Sequence, residues 1–359
     1  MLTFYWRLLQ GGEQAGSSRA AAALRPETPR PDRGPQSAFC RLAEDLGIAG
    51  VLVDIGAAKP DPIVLSAALG LATSRLEFMV ACRSGLQSPA LLVQQINTLS
   101  ALLDGRVSLN VVAGTSPAEQ RGYGDFLDHD QRYARTAEFL AICKALWRQD
   151  GPVDVTGRYY TVAGGRLGSR FIAPARHRPE LMIGGGSPAA RDLAVSHGDC
   201  WMRLPDTPAA VAAASRPVLA AGKAVGLRLS LIGAATRRDA LDIASALRDD
   251  VDRTVPERSL EGSFIARSDS ISFKAMHDIA ASTEWLTPAL WTGLVRSHGA
   301  PAVALVGDAD EIAGALIDFQ QAGVSRFILS GWPKAESMQF FGQHVLPRVR
   351  RLEQRAAAE

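Results

Sequence analysis

A rhythm restricts the fold of this chain more than any single motif. Short apolar runs alternate with longer helical patterns nearly from end to end. In order the runs are LTFYWRLL (2–9), GVLVDI (50–55), LEFMVAC (76–82), RVSLNVV (106–112), ELMIGG (180–185), DCWMRL (199–204), LRLSLIGAAT (227–236) and SRFILSG (325–331). Between them, Leu91, Leu92, Gln95, Ile96, Leu99 and Leu102 recur at helical spacing and predict a helix over 88–103, and a second is expected over about 131–147. Eight strands alternating with helices predict an α/β fold, a (β/α)8 TIM barrel, ahead of a doubly wound open sheet. No hinge linker divides the 359 residues, so one domain over 1–359 is expected.

Three segments exceed what a barrel needs. Residues 10–36, after strand one, are rich in Gly, Pro and Arg and are expected to be mobile. Residues 150–179, before strand five, contain GRYYTVAGGRLGSRF, which alternates and turns like a β-hairpin. Residues 254–300 form a second long excursion, before strand eight. Barrel active sites sit at the C-terminal strand ends, so insertions that follow strands are natural covers for a site.

Composition removes several function classes. An apolar content of 47% with 21% charged residues describes a soluble globular protein, and a net charge of +2 leaves no nucleic-acid footprint. Cys40, Cys82, Cys143 and Cys200 are far apart, without CxxC or metal-ligand spacing, and read as reduced, buried thiols. The opening MLTFYWRLLQGGEQ lacks a basic leader and a cleavage site, and no stretch reaches about 18 apolar residues, so a cytoplasmic protein without a membrane role is expected.

The motif search narrows the chemistry further. There is no GxSxG, P-loop or HExxH, and the six histidines are scattered, so no metal site is expected. The run SLNVVAGTSPAEQRGYG (108–124) places a lone amide, Asn110, inside an apolar strand that opens into small polar residues. It is either an ordinary strand-to-helix loop or the floor of a ligand site. GGGSPAARDLA (184–194) could cradle an anion on a helix N-terminus, or Ser187 could be a plain N-cap with Pro188 after it. Arg228 alternates with Ser230 and Ile232; facing inward it would need an anionic partner or solvent at the mouth, facing outward it would need neither. Alone, Arg296 reads as a surface charge and His129 as a helix-entry residue.

Together these pieces resemble a family. INTLSALLDGRVSLNVVAGTSPAEQRGYGDFLDHDQRYARTAEFL (96–140), PELMIGGGSPAARDLA (179–194), LWTGLVRSHGAPAVALVGDADEIAGAL (290–316) and FILSGWP (327–333) are similar to the flavin-dependent alkanesulfonate monooxygenases of the bacterial-luciferase-like superfamily. The resemblance implies the barrel, with a flavin ring lying across its C-terminal mouth. By position, Asn110 would hydrogen-bond the ring, Ala81 and Cys82 would back it, and Tyr133, Gly186 and Ser187 would hold the FMN phosphate. Arg228, Ser230, Arg296 and Trp332 fall on the substrate-side, catalytic positions. The implied activity is a two-component monooxygenase: FMNH2 from a separate NAD(P)H:flavin reductase, O2, a flavin peroxide, and one oxygen inserted into a small organic substrate. The implied assembly is a homodimer or homotetramer. A deazaflavin (F420)-dependent hydride-transfer enzyme and a non-catalytic flavin-binding protein are the alternatives.

Departures from the family pattern point away from a simple alkanesulfonate. Lys59 replaces a Cys after strand two, Ser230 a His, Trp332 a Tyr, Leu204 a Trp and Gly11 a His. Ser cannot replace His as an acid or base near neutral pH, and Trp is a donor only. Leu204 and Trp332 lead to the expectation of a larger or more apolar substrate.

Overall fold

The computed structural model describes residues 1–10, 31–254 and 265–358. Its strands are β1 (Thr3–Arg7), β2 (Gly50–Val53), β3 (Glu77–Cys82), β4 (Val107–Val112), β5 (Val153–Thr156), β6 (Thr161–Gly165), β7 (Glu180–Gly184), β8 (Cys200–Arg203), β9 (Ala224–Gly233), β10 (Leu290–Trp291), β11 (Ala304–Gly307) and β12 (Arg326–Gly331). Eight of them close a parallel ring in the order β1-β2-β3-β4-β7-β8-β9-β12, and β12 returns to β1. The eight expected strands are these eight; a hairpin does form within 150–179, as the antiparallel pair β5–β6, but its first strand precedes the run GRYYTVAGGRLGSRF that suggested it. The seventh strand begins and ends three residues earlier than its apolar run suggests.

Strand alternation sorts the core into two parts. Tyr5, Leu52, Met79, Ala81, Met182, Met202 and Ile328 pack inside the ring. Their sequence neighbours Phe4, Val51, Phe78, Val80, Leu181, Trp201 and Phe327 face the surrounding helices. The N-terminal end of the lumen is polar: Ser108 Oγ donates to Glu77 Oε1 at 2.5 Å and Arg326 pairs with Glu180. That end is stoppered by a structural network. The lumen is therefore a filled core, with a pocket at its C-terminal strand ends.

Helix starts follow from the sequence. Asp61, Ser88, Ser116, Ser187 and Thr207 each cap a helix whose first residue is proline, where the missing N–H costs nothing and φ is already helical. The helix expected over 88–103 is Pro89–Leu102, and the one expected over 131–147 is His129–Arg148, with His129 as its first residue. Because each crossover helix begins just beyond a strand end, its free N–H groups surround the open mouth.

The excursion before strand eight holds more structure than its sequence announces. Its described part contains the helix Ile271–Ser282 and β10, which pairs antiparallel with β11 just beyond it. β11 runs parallel to β9, pairing Ala304 with Ser230 through Gly307 with Gly233, above the point where β8 leaves that edge. Much of the excursion expected at 10–36, with Gly11, lies outside the described residues, as do residues 255–264 of the second excursion. All four cysteines are buried free thiols. No described helix is long and apolar enough to cross a membrane.

Candidate active site

A pocket of about 1100 Å³, its open mouth included, lies at the C-terminal strand ends. Its floor is the last inward layer of the barrel: Asp54, Ala81, Asn110, Gly184, Met202, Arg228 and Ile328. Asn110 is 6% exposed and lines the pocket, and its Oδ1 has no hydrogen-bond partner among the described residues. A buried acceptor left unpaired costs roughly 1–3 kcal/mol, which a ligand donor would recover. Asn110 is thus a strand residue that also lines the pocket.

One side of the mouth is built to receive an anion. After β7, Gly185 takes φ +143°, and a Cβ there would stand 2.5 Å from Tyr133 Oη and 2.8 Å from Ala190 Cβ. At Gly186 a Cβ would meet Ser272 Cβ at 2.8 Å. Glycine at both positions leaves the backbone bare where the loop turns into the helix Pro188–His197. Ser187 caps that helix, its Oγ accepting from Ala190 N at 3.2 Å, and Tyr133 hydrogen-bonds Ser187. Burial raises the Tyr133 phenol above its ordinary value although Ser187 pulls the other way, so it stays a neutral donor. A second helix, Ile271–Ser282, begins at the same place, and Ser270, Ile271 and Ser272 line the pocket beside Gly186. Helix dipoles and open N–H groups from two directions favour a dianion such as a phosphate.

Arg132 holds this second helix in place. The side chain is 1% exposed and reaches Ala113 O at 2.8 Å, Leu127 O at 2.9 Å and Asp269 Oδ2 at 2.6 Å. Ser268 Oγ adds a bond to Thr115 O at 2.6 Å. The segment carrying Ser270 is therefore tied to the loop after β4. In the sequence Arg132 directly precedes Tyr133, but nothing in its spacing announces a partner at Asp269.

The opposite side is a charge cluster. Asp54, 7% exposed, accepts from Arg7 Nε at 2.5 Å and Lys59 Nζ at 2.8 Å, with Arg228 Nη2 at 3.6 Å. Gln10 clamps its backbone by two bonds, Nε2 to Asp54 O at 2.9 Å and Asp54 N to Oε1 at 3.0 Å. Burial opposes the carboxylate, but Lys59, Arg7 and Arg228 outweigh it and hold Asp54 well below its ordinary value. Lys59 is lowered as well, which for an amine is toward the neutral form: burial brings it to about 7, against the pull of Asp54. Arg228 is the inward arginine with an anionic partner that its alternation allowed.

The site residues expected from sequence divide. Asn110, Ala81, Tyr133, Gly186, Ser187 and Arg228 line one pocket, as do His129, Lys59 and Leu204. Cys82 follows Ala81 on the opposite face of β3 and packs toward the helices. Ser230 is 2% exposed and donates to Pro301 O at 3.0 Å. Trp332 stands edge-on to His298 at 5.2 Å, in the cluster with Trp291 and Leu294. Arg296 is exposed on the short helix Val295–His298. None of these four lines the described pocket, so the expectation of a more apolar substrate keeps Leu204 and loses the Trp332 half of its footing. Sequence reasoning missed Asp54, Arg83, Arg203, Ser270 and Ser272. The first three sit at or just past strand ends; the two serines lie in an insertion without a readable period.

Comparison with known proteins agrees with the architecture. Residues 13–326 match the family model of the luciferase-like monooxygenases. The fold is similar to that of riboflavin lyase RcaE, solved with modified FMN and riboflavin, at 19% identity and TM-score 0.76 over 98% of this chain and 92% of that one. EDTA monooxygenase EmoA from Chelativorans sp. BNC1 gives 20% and 0.72 over 98% and 93%. An F420-dependent secondary alcohol dehydrogenase gives 18% and 0.65 over 97% and 99%.

Proposed function

The chain belongs to the luciferase-like monooxygenase family and is a flavin-dependent monooxygenase; on that premise we propose that it works with FMNH2, delivered by a separate NAD(P)H:flavin reductase, and with O2. The observation that carries the reading is the pairing of an anion cradle with a carboxamide oxygen that has no partner among the described residues, across one pocket. Gly186, Ser187 and Tyr133 would hold the phosphate, with Ser272 closing the cradle. Asn110 would meet the ring above Ala81. Reduced FMN, when bound, supplies two electrons that let dioxygen deliver one oxygen atom to an organic substrate and the other to water.

The chain's own contribution is positioning, dryness and proton control. Ile55, Met202, Leu204, Ile271 and Phe273 give the pocket apolar wall that limits water near the reacting atoms. Lys59, with an amine near 7 held at 2.8 Å from Asp54, can take or release a proton at Nζ in the neutral range. Of the substrate-side positions implied by the family, Arg228 is the one we assign to substrate, because it lines the pocket. A homodimer or homotetramer in the cytoplasm completes the proposal.

Equilibrium titration with FMN, riboflavin and F420 tests it. FMN should bind, and riboflavin should bind at least about tenfold more weakly, the worth of one lost set of charge-assisted hydrogen bonds. The likeness to an F420-dependent dehydrogenase supports one competing reading, hydride transfer. Preference for F420 over FMN would establish that reading and remove ours.

A further inference from the structure

We propose that Arg83 makes this pocket select the reduced, anionic form of the flavin over the oxidised form. The inference rests on the flavin reading above and extends it to a residue the family resemblance does not mark. Arg83 lies just past β3, two residues beyond Ala81 and on the same inward face. Its side chain is 8% exposed, and Nη2 pairs with Glu119 Oε2 at 2.9 Å. Its Nε and Nη1 are buried and have no hydrogen-bond partner among the described residues, although the residue lines the pocket. Two unpaired donors on a buried cation are costly, and a pocket wall is where a ligand acceptor would satisfy them.

The adjacent strand carries the opposite deficit. Ala81 is in register with Asn110 on β4, whose Oδ1 is an acceptor without a donor among the described residues. The two adjacent strand ends thus offer an acceptor beside a cationic pair of donors. The pyrimidine edge of a flavin has the complement: an N–H flanked by carbonyl oxygens. Taking up two electrons and one proton leaves that edge with a negative charge shared between N1 and the C2 carbonyl oxygen. A guanidinium there stabilises the reduced form more than the neutral oxidised one. Glu119 neutralises part of the Arg83 charge and also accepts from Ala57 N at 2.7 Å, so it ties the loop after β2 to the same arginine.

The test is an anaerobic titration of the full chain with oxidised FMN and with dithionite-reduced FMN, together with the midpoint potential of the bound flavin. The unaltered protein should bind reduced FMN more tightly. Arg83→Gln should cut the reduced-to-oxidised affinity ratio about tenfold, about 30 mV for a two-electron couple, while oxidised affinity changes little. Arg83→Lys should restore most of the ratio. Glu119→Gln, which breaks the same ion pair but leaves the cation, should hold or raise it. If Arg83→Gln and Glu119→Gln weaken both redox forms alike, Arg83 is a structural tie and the proposal is wrong. If Arg83→Gln fails to fold, Arg83→Lys and Glu119→Gln still decide the point. Absence of FMN binding by the unaltered protein would instead remove the flavin reading itself, and this proposal with it.

Discussion

Lys59 supplies a prediction that can be worked through from the structure. Its amine is brought to about 7 by burial, while Asp54 at 2.8 Å pulls toward the charged form and Arg7 and Arg228 push against it. At 2.8 Å two unit charges attract by about 6 kcal/mol at an effective dielectric near 20, an upper bound because the Lys59 side chain is 28% exposed. Measured effects of an adjacent opposite charge are smaller, so Asp54→Asn should take the Lys59 amine down to roughly 4–6. The chain has five lysines, Lys59, Lys144, Lys223, Lys274 and Lys334, so reductive 13C-methylation gives few enough NMR signals to assign by substitution. One signal should titrate near 7, vanish in Lys59→Arg and move to lower pH in Asp54→Asn. Stability carries the same information. Between about 7 and 10.5 the unfolded chain holds the Lys59 proton and the folded chain does not, so the Lys59 contribution to stability rises with pH across that window. Below 7 the full cost of charging a buried amine is present. The unaltered protein should therefore gain thermal stability relative to Lys59→Met as pH goes from 7 to 9. An ordinary titration above pH 10, or a movement upward in Asp54→Asn, would refute the electrostatic account of the pocket floor.

Other perturbations probe the remaining parts of the site. Asn110→Ala should weaken FMN binding about tenfold, the worth of one buried hydrogen bond, with melting temperature nearly unchanged. Ser187→Ala removes both a cradle hydroxyl and an N-cap, so it should lower stability by about 1 kcal/mol and weaken FMN more than riboflavin. Gly185→Ala forces a side chain onto φ +143° and toward Tyr133, and should abolish phosphate-dependent affinity in a flavin titration. Arg132→Met strands Asp269 and two carbonyl oxygens, and should cost about 3–5 kcal/mol while speeding limited proteolysis near 265–270.

The barrel was legible in the sequence because its signal is repeated eight times, and a strand buried in a closed ring must be apolar along its length. Arg228 was legible as half of an interaction: alternation gave its face, while its partner Asp54 follows a strand three places round the ring, and no local pattern encodes that meeting. Ser187 shows a third case. It is an N-cap that also lines the pocket, so the two readings of GGGS do not exclude one another. Cys82 was misplaced by treating two consecutive residues as one wall, although a strand sends them to opposite faces. Ser270 and Ser272 could not be found in advance, because the Arg132–Asp269 pair that brings them to the pocket spans 137 positions of sequence.

The central claim is that this pocket binds reduced FMN and directs its reaction with oxygen. Anaerobic mixing of the FMNH2-loaded protein with oxygenated buffer, followed by absorbance in a stopped-flow instrument, tests it most directly. The account predicts that reoxidation on the protein passes through a resolved species whose spectrum matches neither reduced nor oxidised FMN. Single-step reoxidation at the rate of free FMNH2 would contradict it.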